Sequence, residues 1–290
     1  MLTLLSWLSR RSLRFLHALG AALGWAGYLL SGSYRQRLRA NAALAGIDAR
    51  ARNAAIAQAG CMVAELPRLW LRPAARALEP AVQWQNAELI DEALAAGRGL
   101  LVLTPHLGAF EVIAQAYAER FGARQPMTAL YRPARQAWLR ALEATARARP
   151  GLLTAPASLA GVRQLIRALR QGQTVGLLPD QVPPDSMGVW APLFGQPAYT
   201  MTLASRLALQ TGATPLPMIC VRRPRSAGWL IKVHAMPEAL PGATAFGADE
   251  LAHQTECAAV MNRTMEFRIR QCPEQYLWGY HRYKSPRSAN

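Results

Sequence analysis

From residue 100 onward the chain alternates short, wholly apolar runs with longer stretches of helical period. LLVLT at 100–104, PMTALY at 126–131, GLLTA at 151–155 and TVGLLPD at 174–180 are short and end in turn residues. They predict buried strands. Between them, 111–121, 134–148 and 159–171 repeat apolar residues at helical spacing. In the last of these, Val162, Leu165, Ile166 and Leu169 form one face, with Ser158 as the cap before it and Gly172 at its end. Such alternation implies an α/β fold: a mostly parallel sheet covered by helices. GATPLPMICV and GWLIKVHAM predict neighbouring antiparallel strands, and 249–270 a long helix that starts near Asp249 and ends by Cys272. Residues 181–200 show no period and hold Pro183, Pro184, Pro192 and Pro197. They read as a long functional loop, with Trp190, Phe194 and Tyr199 exposed and Thr200 capping a helix to Leu209; the competing reading is a floppy surface loop.

The first third is helical in pattern. Behind an Asp48 cap, Ile56, Met62, Val63, Leu66 and Leu69 make a stripe that Pro67 should kink or end. AVQWQN reads as extended, and ELIDEALAAG as a helix closed by Gly97. Residues 18–32 carry no charge; Arg10, Arg11 and Arg14 precede them, and Arg35, Arg37 and Arg39 follow. The run falls near the lower limit of the ~20 residues that span a bilayer, and basic residues on both sides give no orientation. No small-residue cleavage site precedes the second basic cluster. The expectation is an uncleaved helix inserted in, or lying on, a membrane, its arginines meeting anionic headgroups. A buried core helix is the competing reading.

Charge adds to this picture. The 290 residues carry a formal net charge of +16, nearly all of it arginine, since lysine occurs only at Lys232 and Lys284. This excess suits an anionic membrane, phosphorylated substrates or nucleic acid; with the abundant alanine it equally fits a compositional bias of the genome. No helix-turn-helix, RNA-binding or zinc-finger pattern appears, and the apolar N-terminal run argues against nucleic acid. Cys61, Cys220, Cys257 and Cys272 lack metal-site or redox spacing, so no metal, disulfide framework or cofactor is expected.

The chemistry concentrates in TPHLGAFE, residues 104–111. His106 closes a strand and Glu111 opens the next helix, across a turn containing Gly108. Ligands of α/β sheets bind at such carboxyl ends. A histidine there acts as general base when a carboxylate orients it; a structural helix-entry histidine is the alternative. Arg132 follows a second strand and Asp180 and Gln181 a third, so three polar groups converge on one sheet edge. Arg132 suits phosphate or carboxylate, or is an ordinary surface arginine. Zinc-protease, nucleophile-elbow, Walker and dinucleotide motifs are all absent.

At these residues the chain resembles the bacterial lipid A biosynthesis acyltransferases, the late lauroyl and myristoyl transferases. The family's His-x4-Glu matches His106 and Glu111, its Tyr-Arg-Pro matches Tyr131, Arg132 and Pro133, and its Pro-Asp-Gln matches Pro179, Asp180 and Gln181. Phe194, Gly195, Pro197, Ala198 and Thr200 match a fourth element, and Tyr276, Trp278, Arg282, Tyr283 and Lys284 a fifth. The chain departs from the usual pattern at Leu107, Ala109 and Phe110, between the two catalytic positions, and at Gln136. Those departures bear on acceptor and acyl length more than on the reaction. The resemblance implies a glycerolipid-acyltransferase-like sheet, with residues 1–45 as membrane anchor and basic segment and 46–290 as catalytic domain. It implies an inner-membrane enzyme facing the cytoplasm. Acyl carrier protein would donate the acyl group to a hydroxyl of a 3-hydroxyacyl chain on a phosphorylated glycolipid, a Kdo-lipid A precursor. His106 would deprotonate that hydroxyl, Glu111 would orient His106, and no covalent acyl-enzyme would form. Arg132, Asp180 and Gln181 would bind substrate or support the transition state; Trp190, Phe194 and Tyr199 are candidate acyl or lipid contacts. Competing readings are the same chemistry on a lysophospholipid, ornithine lipid or glycosylated inositol lipid, and a non-catalytic basic membrane- or nucleic-acid-binding protein.

Overall fold

Alternate residues of one strand feed two separate cores. The strand is β2, Leu100–Leu103. Leu100 and Val102 join a cluster with Ile113, Tyr117, Met127 and Trp229. Leu101 and Leu103 join another with Leu165, Leu169, Leu207 and Met265. A strand buried on both faces reads as a continuous apolar run, which is why LLVL was legible. The computed structural model describes residues 2–131, 136, 138, 140, 142, 143 and 149–287. Arg132, and most of the helix expected over 134–148, lie outside the described residues.

The elements in chain order are α1 (Leu2–Ser9), α2 (Leu13–Leu30), α3 (Gly32–Leu44), α4 (Ala49–Trp70), β1 (Gln83–Gln85), α5 (Glu88–Ala95), β2 and α6 (Phe110–Phe121). Then come β3 (Met127–Tyr131), β4 (Leu152–Pro156), α7 (Leu159–Arg170), β5 (Thr174–Leu177), β6 (Gly188–Leu193) and β7 (Gln196–Met201). The chain closes with α8 (Leu203–Thr211), β8 (Thr214–Arg222), β9 (Trp229–Val233) and α9 (Glu250–Arg270). Among the described residues the main sheet has seven strands in the order β1-β9-β8-β2-β5-β3-β4. Neighbours from β8 to β4 are parallel, and β9 runs antiparallel to β8. The α/β sheet expected from the pattern is therefore present. So are the Asp48 and Ser158 caps, which accept from Ala51 N–H and Gly161 N–H.

Three expectations need correction. Residues 181–200 are not a loop throughout, because from Gly188 onward β6 and β7 pair as an antiparallel ribbon. Phe194 and Gly195 form its two-residue turn, both at positive φ (48° and 73°), as the twist of a tight hairpin requires. Phe194 and Tyr199 are buried, and only Trp190 is exposed. Thr200 lies inside β7, and α8 begins after Thr202 instead. Pro67 stands in the last turn of α4, which ends at Trp70.

Helix α2 packs one face on α4 at backbone contact. A Cβ at Gly60 would lie 1.8 Å from Gly20 O, and one at Gly24 2.2 Å from Ile56 O. Leu13, Leu16 and Tyr28 are buried, while Phe15, Leu23, Trp25, Leu29 and Leu30 face outward. By length and composition α2 is an apolar helix able to cross a membrane. Tyr28, Leu38, Ala42 and Ala45 share a core with β2, so α2 and α3 are packed into the same body as the sheet.

Candidate active site

Strands β2 and β5 are parallel neighbours, with Leu103 paired to Leu177. The loops after them leave the sheet side by side, one carrying His106 and the other Asp180. Asp180 Oδ1 accepts from His106 Nδ1 at 2.7 Å, and Oδ2 accepts from the His106 backbone N–H at 2.9 Å. Tyr276 OH donates to the same Oδ2 at 3.2 Å. Asp180 is only 4% exposed. Burial alone would raise its pKa, but the His106 ring, the two bonds from His106 and Arg282 outweigh burial and hold it below the ordinary carboxylate value. Burial and the adjoining carboxylate push the Tyr276 phenol well above its usual value, so it stays a donor.

With Nδ1–H given to Asp180, the neutral imidazole carries its lone pair on Nε2. The Gln181 side-chain amide sits 3.0 Å from Nε2, so its N–H donates to that lone pair. The Phe110 ring stands edge-on to the imidazole, with centroids 4.9 Å apart. The His106 side chain keeps 19% of its surface exposed. The imidazole thus has its tautomer fixed through one nitrogen and a single side-chain donor, among the described residues, at the other.

The carboxylate that bonds the His106 ring is not the one named in the sequence reading. Asp180, 74 residues along the chain, holds the ring. Glu111 instead accepts from Trp70 Nε1 at 3.3 Å. The reason is topological: β5 delivers Asp180 directly beside the end of β2. Gly108, meanwhile, turns at φ 60°, and its N–H and that of Ala109 go to Gln275 O and Cys220 O. The structure brings His106, Asp180 and Gln181 together. Arg132 lies outside the described residues. Phe194 reaches the site only indirectly, through Trp278 (5.8 Å between centroids) and then Tyr276 (4.8 Å). Trp190 packs on Tyr199 on the ribbon, 5.5 Å apart. Arg282 ties that ribbon down by donating to Tyr199 O at 2.8 Å and Thr200 Oγ1 at 3.0 Å. Tyr276 and Arg282 stood in the fifth matched motif, yet spacing alone gave neither a role. Trp70 carried no signal.

A mostly parallel α/β sheet presents, at the end of one strand, a histidine held by a buried carboxylate. The chain belongs to the bacterial lipid A biosynthesis acyltransferase family, whose model matches residues 2–285. It is similar to the lipid A biosynthesis lauroyltransferase of Escherichia coli (strain K12), 29% identical over 199 residues, or 68% of this chain and 60% of that protein. It is also similar to the lipid A biosynthesis palmitoleoyltransferase of the same organism, 26% identical over 230 residues, covering 78% of this chain and 69% of that protein. The match thus spans about three fifths of the lauroyltransferase's length.

Proposed function

We propose that the protein transfers a fatty acyl group from an acyl carrier protein thioester to a hydroxyl of a 3-hydroxyacyl chain on a Kdo-lipid A precursor. One observation carries the chemistry: the 2.7 Å bond between His106 Nδ1 and buried Asp180. The acceptor hydroxyl displaces the Gln181 amide from Nε2, which takes the proton as the oxygen attacks the thioester carbonyl. Asp180 stabilises the imidazolium that forms. The tetrahedral oxyanion needs donors, and the displaced Gln181 amide is one at hand. Collapse expels the thiolate, His106 returns the proton to sulfur, and ester and free thiol result. Protein nucleophile and covalent acyl-enzyme have no part in this sequence.

Glu111 then serves as a second carboxylate near the acceptor, fixed by Trp70, and Arg132 as a contact for phosphate. Residues 1–45 seat the enzyme on the cytoplasmic face of the inner membrane through the exposed apolar side chains of α1 and α2, and 46–290 carry the chemistry. The +16 charge favours both an anionic bilayer and an acidic carrier protein. Leu107, Ala109 and Phe110 line the turn beside the base, where the chain departs from its family's usual residues; they bear on which acceptor and acyl length it accepts.

The test supplies purified protein in mild detergent with a tetra-acylated Kdo-lipid A precursor and carrier-protein thioesters of ten to sixteen carbons. Mass spectrometry should show one added acyl mass, absent with His106→Ala. No product with any donor, from protein that still binds vesicles, would sink the lipid A reading and direct the assay to other lipid hydroxyls.

A further inference from the structure

The turn that carries His106 is held by a second polar cluster that takes no part in the proposed chemistry. At Gly108 a Cβ would meet Cys220 O at 2.0 Å, so the turn lies directly against β8. The Gly108 carbonyl accepts from Arg222 at 2.8 Å. The same guanidinium nitrogen donates to Glu65 Oε1 at 2.8 Å, Arg222 Nε donates to Glu65 Oε2 at 3.3 Å, and the remaining nitrogen donates to Gln58 at 3.2 Å. Glu65 Oε2 also accepts from Trp229 Nε1 at 3.3 Å and lies 3.3 Å from His17 Nε2. The other His17 nitrogen is 2.9 Å from Ser226 Oγ. The side chains of Arg222 and Glu65 are 2% and 1% exposed.

An ion pair sealed this deeply gains little over apolar packing of equal volume. What apolar residues could not supply is a rigid fork that answers a carboxylate and a backbone carbonyl together. Without it, the Gly108 carbonyl would be buried with no partner. His17 stands on α2, the helix whose opposite face is bare and apolar. The cluster therefore runs from that helix, through Glu65 on α4 and Arg222 at the end of β8, to the turn beside the base.

We propose that Arg222, oriented by Glu65, is a positioning residue for His106, and that His17 ties the seating of α2 to the geometry of the catalytic turn. The inference rests on His106 being the base. Arg222 touches no reacting atom; it fixes the turn, and a misplacement of about 1 Å at a reacting centre can cost ~10²-fold in rate.

Two variants test it in the full-length protein. Arg222→Lys keeps a cation opposite Glu65 but cannot bond Glu65 and the Gly108 carbonyl through one planar fork. His17→Phe cuts the link to α2 and keeps the ring volume. Each is read by backbone amide hydrogen exchange and by acyl transfer kinetics. For Arg222→Lys the amides of Gly108 and Ala109 should exchange about tenfold faster or more. Amides of β5 and α9 should keep their wild-type rates. Its kcat should fall about tenfold or more, with KM within about twofold. His17→Phe should show the same pattern to a smaller degree. Wild-type exchange at Gly108 and Ala109 in Arg222→Lys overturns the positioning role. So does faster exchange across the whole chain, which would make Arg222 a folding residue only. Unchanged exchange in His17→Phe overturns the link to α2. The exchange arm needs no substrate, so failure of the acyl transfer reading is seen separately, as wild-type protein inactive with every donor.

Discussion

Two buried carboxylates flank the turn after β2, and each holds a histidine. Asp180 holds His106; Glu65 faces His17. Each also has an arginine near it, Arg282 for Asp180 and Arg222 for Glu65. Both are held below the usual carboxylate pKa: burial opposes ionisation, and His106 in one case, Arg222 and His17 in the other, override it. The difference lies in what remains open. Around Glu65, His17 spends one ring nitrogen on the buried carboxylate and the other on Ser226, and neither has a part in the proposed chemistry. Around Asp180, the far nitrogen of the histidine meets, among the described residues, the side chain of Gln181 alone, the group a substrate hydroxyl replaces in the proposed mechanism. On the proposed mechanism, an exchangeable donor is what separates the site from the purely structural cluster.

The comparison breaks most visibly at the base. His106→Ala should lower kcat/KM by about 10³–10⁴-fold. Asp180→Asn should lower it by ~10³-fold, because it favours the wrong tautomer. Glu111→Gln should cost no more than about tenfold, since Glu111 bonds Trp70 instead. Steady-state acyl transfer decides this; a larger loss at Glu111 than at Asp180 would return the orienting role to Glu111.

Stability should rank the two clusters in the opposite order. Glu65→Gln strands Arg222 and should cost about 3–5 kcal/mol in denaturant unfolding. The double change Glu65→Leu with Arg222→Met should recover most of that stability while kcat stays low.

Acid sharpens the contrast further. Both folded pKa values are depressed, so each carboxylate stabilises fully above its unfolded pKa of about 4. That contribution is lost as pH falls from there through the depressed value. Thermal midpoints measured from pH 6 downward should drop below about pH 4, and Glu65→Gln should flatten the drop.

The smallest effect should come from the exchangeable donor itself. Gln181→Ala should reduce kcat about tenfold and move stability by no more than about 0.5 kcal/mol. A stability loss as large as that of Glu65→Gln would show the two clusters to be alike.

Much of this was legible in the chain, and the exceptions share a cause. β2 and β5 announced themselves as apolar runs, and His106, Asp180 and Gln181 stood plainly at their ends. Which carboxylate would meet His106 depended on strand order, which local pattern does not encode. Glu111 was near in sequence, but β5 lies beside β2. The β6–β7 ribbon hid for local reasons: its turn places Phe194, not Asn or Asp, at positive φ, and Pro192 sits opposite Pro197. A two-stranded ribbon tolerates such prolines because both strands are edges. The apolar run of α2 was visible, but its crossing with α4 was not, because Gly20, Gly24 and Gly60 are each unremarkable until brought together.

That crossing governs how the protein can be trimmed. Deleting the first 45 residues to make a soluble version would strip the cover from Ile56 and Cys61 on α4 and take Leu38 and Ala42 out of the core. The productive edit leaves the backbone whole and replaces Leu23, Leu29 and Leu30, each more than half exposed, with polar residues. Glycine at 20, 24 and 60 must stay, since any side chain there would push the two helices apart.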